Sequence, residues 1–242
     1  MIIVNADDWG RSRSETDAAL LCYKAGRVTS VSAMVFMEDS GRAAQLAHES
    51  GIDVGLHLNL TQPFSGQHVG RLRESHDRIV RFLTGSRYAL LVYNPALRHE
   101  FRRVYEAQFE EFVRLYGKSP SHIDGHHHQH LCTNMLLDRI IPSGEKVRRN
   151  FHFWPGEKSV ANRTYRRLVD WSLARRYRVV DFFFALSRCL QDDRLARIAT
   201  LARAATVEVM AHPASAVEFA CLMSESYDVH FEGVTKGSYS SV

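Results

Sequence analysis

Short apolar runs alternating with stretches of helical periodicity constrain this chain more than any other feature. Met1 to Ala6 (MIIVNA) is a continuous apolar run ending in Asp7, Asp8 and Gly10, as expected of a buried strand that feeds a turn. Ser14 and Asp17 form a capping pattern, and Ala18, Leu21, Cys22 and Ala25 keep helical spacing until Gly26. Val28 to Phe36 reads as a second strand, followed by a helix over Ser40 to Glu49 that Gly51 stops. Asp53 to Leu60 (DVGLHLNL) is a third strand, with His57 and Asn59 on one face and Leu56, Leu58 and Leu60 on the other. From Thr61 to Pro95 the periodicity fails. This stretch, with Gly66, Gly70, Gly85, His68 and His76, is expected to be an excursion at about 61–95 covering the site, with one short helix near Asp77 to Leu83.

Beyond it, Pro95 opens a helix to Tyr116 whose aromatic stripe (Phe101, Tyr105, Phe109, Phe112, Tyr116) is core, and Gly117 closes it. Further strands are predicted at Ser121 to Asp124, Lys146 to Arg149, Arg178 to Ala185 and Thr206 to Ala211, and helices over Asn134 to Ile141, Asn162 to Arg176 and Leu190 to Arg203. The tail after Tyr227 carries no assignment. Strands that alternate with crossover helices run parallel, and seven or so units favour a closed or nearly closed α/β barrel over an open sheet. No Pro/Gly/Ser-rich linker divides the chain, so a single domain over 1–242 is expected.

Ser121 to Leu131, SHIDGHHHQHL, places five of the 13 histidines and one aspartate within nine positions. Neutral imidazole is a common ligand of borderline transition metals, so the run reads as a metal edge. Continued as a strand, it would put His122, Asp124, His126, His128 and His130 on one face and His127 on the other. Barrel chemistry collects at the carboxyl ends of strands, where Asp7, Asp8, His57, Asp124, His126 and His212 all fall. Two histidines and a carboxylate leave open positions on a Zn²⁺-like ion, the arrangement of a catalytic centre. Of the adjacent pair Asp7 and Asp8, one can hold the ion while its neighbour takes a proton from the water the ion acidifies. His212, before Pro213, offers a general acid, and Arg148 is a candidate to orient Asp7.

The formal charge of +4 is mild, and the arginines spread over predicted helices, which favours solvated faces over nucleic-acid binding. Cys22, Cys132, Cys189 and Cys221 lack CxxC spacing and read as reduced thiols of a cytoplasmic protein. No segment approaches the apolar length of a membrane span, and Met1 to Val4 is too short for a signal peptide. Phe182 to Phe184 reads as core or as the interface of a homo-oligomer.

NADDWG (Asn5 to Gly10), GRVTSVSAM (Gly26 to Met34), VGLHLNLT (Val54 to Thr61), SHIDGHHHQH (Ser121 to His130) and EVMAHP (Glu208 to Pro213) stand in the order and at about the spacing of one family. The chain resembles the YdjC-like, ChbG-type carbohydrate deacetylases. The resemblance implies a distorted, TIM-barrel-like (β/α) barrel that removes an N-acetyl group from an amino sugar or glycoconjugate with one divalent metal ion, Zn²⁺ or Mg²⁺. It assigns the metal to Asp8, His57 and His126, the base role to Asp7 and the acid role to His212. Asp124 and His128 then become candidates to orient the ligands, with Arg148, Asn59 and Trp9 beside the site or the substrate. Trp9, Arg11-Ser12 and Ala214 depart from the family's Phe, Leu-Ser and Gly, which points to a changed substrate. The loop from Gln62 to Pro95 differs most and is expected to carry specificity. The competing readings are a metal-dependent phosphoesterase, which would want further carboxylates for a second ion, and an inactive sugar- or metal-binding module, in which a spare Asp7 would serve no purpose.

Overall fold

Six of the apolar runs form strands in a computed structural model that describes residues 1–66, 71–154, 156–190 and 193–242. They are β1 (Ile2–Trp9), β2 (Ser30–Ala33), β3 (Asp53–Leu58), β4 (Ile123–Gly125), β5 (Phe182–Ala185) and β6 (Val207–Ala211). All pair in parallel in the order β4-β3-β2-β1-β6-β5, so every carboxyl end opens on the same side. Nine α-helices lie among the described residues: α1 (Arg13–Lys24), α2 (Ser40–Ser50), α3 (Arg71–Thr84), α4 (Arg98–Tyr116), α5 (Thr133–Leu137), α6 (Val160–Ala174), α7 (Arg194–Ala202), α8 (Ala216–Leu222) and α9 (Glu225–Phe231).

The sheet is a curled half-barrel of six strands rather than a closed barrel of seven. Lys146 to Arg149 does not make a strand. It contributes single bridges, Ile123 to Val147 on one side and Lys146 to Arg178 on the other, because no run of residues on either neighbour stays in register long enough for a ladder. Arg178 to Asp181 likewise precede β5 instead of belonging to it. The short helix expected at Asp77 to Leu83 is the longer α3, anchored by buried Ile79 and Leu83, while His68 and Gly70 lie outside the described residues. α4 buries its stripe except for the half-buried Phe109, and Gly117 ends it in the left-handed conformation that glycine adopts without cost. Phe183 and Phe184 are core. No helix among the described residues is long and apolar enough to cross a membrane.

Period-two alternation sorts the strands into two surfaces. Val4, Ala6, Val31, Ala33, Val54, Leu56, Leu58, Val207 and Val209 face the helices and join the main apolar core. The concave face is polar: Asn5, Asp7, Ser30, Ser32, His57, His122, Asp124 and Glu208 are all buried there. Buried polar groups persist only when they are paired. Asn5 Nδ2 donates to Ser32 Oγ at 2.7 Å, Ser30 Oγ to Asn5 Oδ1 at 2.7 Å, and Ser32 Oγ to Asp124 Oδ2 at 2.8 Å. Tyr239, from the last turn of the chain, plugs this face by donating to Glu208 Oε2 and stacking on His122 at 3.8 Å.

Candidate metal centre

β1 delivers two carboxylates through a defect. Between Ala6 and Trp9 it spends one residue more than β2 opposite, and Asp8 takes a left-handed φ of 67°. A regular strand would send Asp7 and Asp8 to opposite faces, whereas this bulge turns both toward the strand ends. β3 and β4 place His57 directly opposite Asp124 in register, and His57 Nδ1 lies 2.7 Å from Asp124 Oδ1. A carboxylate on one ring nitrogen fixes the tautomer and turns the other nitrogen outward. His57 Nε2 accordingly faces Asp8 Oδ1 at 3.5 Å and Asp7 Oδ2 at 4.0 Å. The histidine run does not continue β4. After Gly125 it folds into a 3-10 turn in which His127 (φ 53°) and His128 (φ 58°) are both left-handed, a conformation rare for bulky residues. That turn brings His126 Nδ1 to 2.9 Å from Asp8 Oδ1.

Asp8, His57 and His126 thus offer donor atoms within 4.8 Å of one another, all buried. The surroundings fit a cation. Asp8 Oδ1 and His126 Nε2 are buried without hydrogen-bond partners, although Asp8 Oδ1 sits against two imidazole nitrogens. Burial raises the Asp8 carboxyl, but the His126 and His57 rings override it and hold it well below the usual carboxylate range. Burial likewise disfavours a His57 imidazolium, yet Asp124, Asp7 and Asp8 push its pKa up to about 10. The place attracts positive charge, and a proton and a divalent ion compete for it. Asp7, His57 and Asp124 form a second group of suitable spacing. Arg148 already neutralises it, lying 2.7 Å from Asp7 Oδ1 and 2.6 Å from Asp124 Oδ2.

Arg148 is wholly buried. Its guanidinium grips Asp7 with two parallel hydrogen bonds, at 2.8 and 2.7 Å, and Nε donates to Glu208 Oε1 at 2.8 Å. Burial opposes its charge, but Asp124, Asp7 and Glu208 hold its pKa well above the ordinary value. His212 follows β6, and its backbone N–H donates to Glu218 Oε2 at 2.7 Å. Burial lowers its pKa, but Glu218, Asp7 and Asp8 outweigh this and raise it.

Two residues expected beside the site have structural partners. Trp9 is core: its Nε1 donates to Ala43 O on α2, since the bulge that turns Asp8 inward turns Trp9 outward. Asn59 lies past the end of β3 and caps a turn, accepting from Thr61 N and Gln62 N and donating to Gln62 O. His128 stands edge-on to Phe151 at 4.5 Å as part of a cavity wall, and burial holds its pKa well below the ordinary value. Glu208 and Ser32 escaped the sequence reading, although a glutamate inside the apolar run TVEVMA was itself a sign of a polar interior. Gln108, inside an aromatic stripe, was another: its amide brackets Asn59 and fixes the exit of β3. Burial pushes the Cys22 thiol up to about 11 and those of Cys132 and Cys189 up to about 12, which removes them as nucleophiles.

Residues 1–232 match the family described as YdjC-like protein. The chain is 30% identical over 247 residues to the carbohydrate deacetylase of Mus musculus, covering 88% of this chain and 77% of that protein. It is 36% identical over 132 residues to the chitooligosaccharide deacetylase of Proteus mirabilis, and 33% identical over 132 residues to that of Serratia marcescens. Those two matches cover 54% of this chain and 50% and 51% of the relatives, so the match spans about half the length of these bacterial proteins. The crystal structure of an Enterococcus faecalis protein provisionally named a cellobiose-phosphate cleavage protein superposes with a TM-score of 0.69 over 99% of this chain and 97% of that one, at 20% identity, a likeness of fold. By its family match and its mouse relative, this chain belongs to the YdjC-like family.

Proposed function

We propose that this chain is a metal-dependent hydrolase that removes the N-acetyl group from an amino sugar or glycoconjugate. The observation that carries the reading is the meeting of Asp8, His57 and His126 at one point, with Asp7 beside them and held by Arg148. The names of the mouse and bacterial relatives point the same way. Asp8, His57 and His126 would hold one divalent ion, which when bound would supply Lewis-acid polarisation of the acetyl carbonyl and acidification of water. Two imidazoles and one carboxylate suit Zn²⁺ better than Mg²⁺, which prefers oxygen donors.

Asp7 is the base. Arg148 fixes its orientation, and the Asn5 amide, donating at 2.9 Å, fixes it further. His212 is the acid: neighbouring carboxylates favour its protonated form, which holds a proton for the departing sugar nitrogen. Asp124 positions His57. The 61–95 segment belongs to the same single domain and covers the site, a role supported by Thr61 Oγ1 lying 3.0 Å from His127 Nδ1 and by Leu90 lining a cavity with His127 and His128. Four free thiols support a cytoplasmic location. A phosphoesterase using two ions is less well supported, because Arg148 stands where the second cation would go.

The test combines metal analysis with acetate release from a panel of N-acetylated amino sugars. Asp7→Ala should keep the ion and lose turnover, while Asp8→Ala, His57→Ala and His126→Ala should lose the ion. An Asp7→Ala protein that stays fully active on an identified substrate would show the base to be wrongly assigned.

A further inference from the structure

Helix α6 buries only Leu173 among its fifteen residues. Val160, Leu168 and Trp171 recur at helical spacing on its outer side and are 77%, 62% and 59% exposed, and Thr164 and Tyr165 are exposed beside them. A second exposed apolar group, Tyr88, Leu91 and Val92, lies in the segment before α4. A cavity of about 220 Å³ has Leu90 of the segment before α4 and Tyr165, Arg166 and Val169 of α6 in its walls, together with His127 and His128 of the histidine turn; Val160, Leu168 and Trp171 lie on another side of α6 and do not line it.

The charge around this face is one-sided. From Lys158 to Arg178 the sequence has seven basic side chains and the single acid Asp170, which is paired with Arg149. Arg167 and Arg175 are exposed and make no ion pair among the described residues, and Arg175 lies over the Trp171 ring at 4.1 Å. Exposed Trp, Leu and Val on one side of a helix, flanked by arginine, suit the boundary between headgroups and acyl chains. A second copy of the chain fits less well. A two-fold contact through α6 would bring this basic face against itself, with no acid to offset the repulsion.

We propose that α6 docks on an anionic lipid bilayer through its exposed face, Val160, Leu168 and Trp171 flanked by Arg167 and Arg175. The surface stands without the deacetylase reading, since vesicle binding requires no turnover. The test is co-sedimentation of the full chain with vesicles of phosphatidylcholine mixed with phosphatidylglycerol, against vesicles of phosphatidylcholine alone. Binding is expected on the mixed vesicles, weakening as salt is raised. Each arginine at an anionic surface contributes about fivefold to partitioning, so Arg167→Glu with Arg175→Glu should lower it about 25-fold or more. Leu168→Ser with Trp171→Ser should lower it as well, without changing the basic side chains. All four positions are exposed, and circular dichroism checks that both variants fold. Equal binding to the two kinds of vesicle, or undiminished binding by the Arg167→Glu, Arg175→Glu variant, would overturn the proposal. So would a dimer in light scattering that Trp171→Ser dissolves, which would give the face to a second copy.

Discussion

Replacing Arg148 by methionine should destabilise the fold in a way that depends on pH. The guanidinium is fully buried and is the cation that meets Asp7, Asp124 and Glu208. Methionine fills similar space and returns no charge. Breaking one buried ion pair by removing a partner costs roughly 3–5 kcal/mol, and here at least two carboxylates lose theirs. A deficit of about 5 kcal/mol at pH 8 is therefore expected, comparable with the whole stability of many domains. The sign against pH follows from Asp124. In the native protein burial raises its pKa, but Arg148 and His57 hold it well below the ordinary value. Without Arg148 the burial effect gains ground, and the Asp124 carboxyl left behind binds a proton more tightly in the folded chain than in the unfolded one. The deficit is then largest at high pH and shrinks as pH falls toward 5, by up to about 1.4 kcal/mol per pH unit for each group concerned. Urea unfolding followed by circular dichroism, in chelator so that no bound ion contributes, measures both quantities at pH 5 and pH 8. A deficit below about 1 kcal/mol, or one equal at the two pH values, would refute the argument that these carboxylates are buried around a necessary cation.

Three further outcomes follow from individual contacts. Arg11 Nη1 lies 3.0 Å from Asp8 Oδ2, so it adds positive charge beside the proposed cation; Arg11→Leu should tighten divalent-ion binding about two- to fivefold, read by competition with a chromophoric chelator. A Cβ on Gly55 would lie 2.2 Å from Cε1 of the buried His122 ring, which is stacked on Tyr239 and has no room to yield; Gly55→Ala should cost about 3 kcal/mol and lower the melting temperature by about 5 °C or more. Glu208 is pushed up to about 7, first by burial and then by Asp124, against the opposing pull of Arg148 and Tyr239. Its folded-state pKa lies above the unfolded value, so its contribution is full below about 4.5 and is lost as pH rises through 7, by about 3 kcal/mol in all. Glu208→Gln should remove that slope, and a stability difference from wild type that stays constant between pH 5 and 8 would contradict it.

The parts of the fold legible in the sequence are those with local signals. β1, β3 and β6 are runs of apolar residues that end in chemistry, and α4 carries a full stripe with a glycine stop. Where the signal is non-local, reading falters. β4 is three residues long, and the Lys146 to Arg149 run is held by two single bridges, so neither has enough residues to show a period. α3 is hidden for a different reason: Ser75 and His76 are buried between its apolar positions, and polar residues on a core face break the pattern a helix is recognised by. His76 Nε2 is paired with the backbone carbonyl of Asn59, 17 residues away.

The candidate site divides along the same line. Its outer elements, Asp8, His57 and His126, lie at strand ends, where barrel geometry gathers residues from distant parts of the chain, so their meeting was open to inference from topology. Two backbone departures that complete it were not. The bulge that puts both aspartates on one side, and the left-handed turn that carries His126 to Asp8, leave no mark in composition or spacing. The inner support is still less local, since Arg148 reaches Asp7 across 141 positions of sequence. Its segment has almost no ladder to place it, yet its guanidinium is the most constrained cation of the described residues, fixed by three carboxylates from β1, β4 and β6. The polar interior therefore holds the Lys146 to Arg149 segment beside β4 as much as that segment supplies the interior with its charge. A half-barrel with a polar concave face and an apolar helical exterior needs that exchange: without Arg148, Asp7 and Asp124 would lose the buried cation that pairs them, and Asp7 would lose the two hydrogen bonds that fix its orientation.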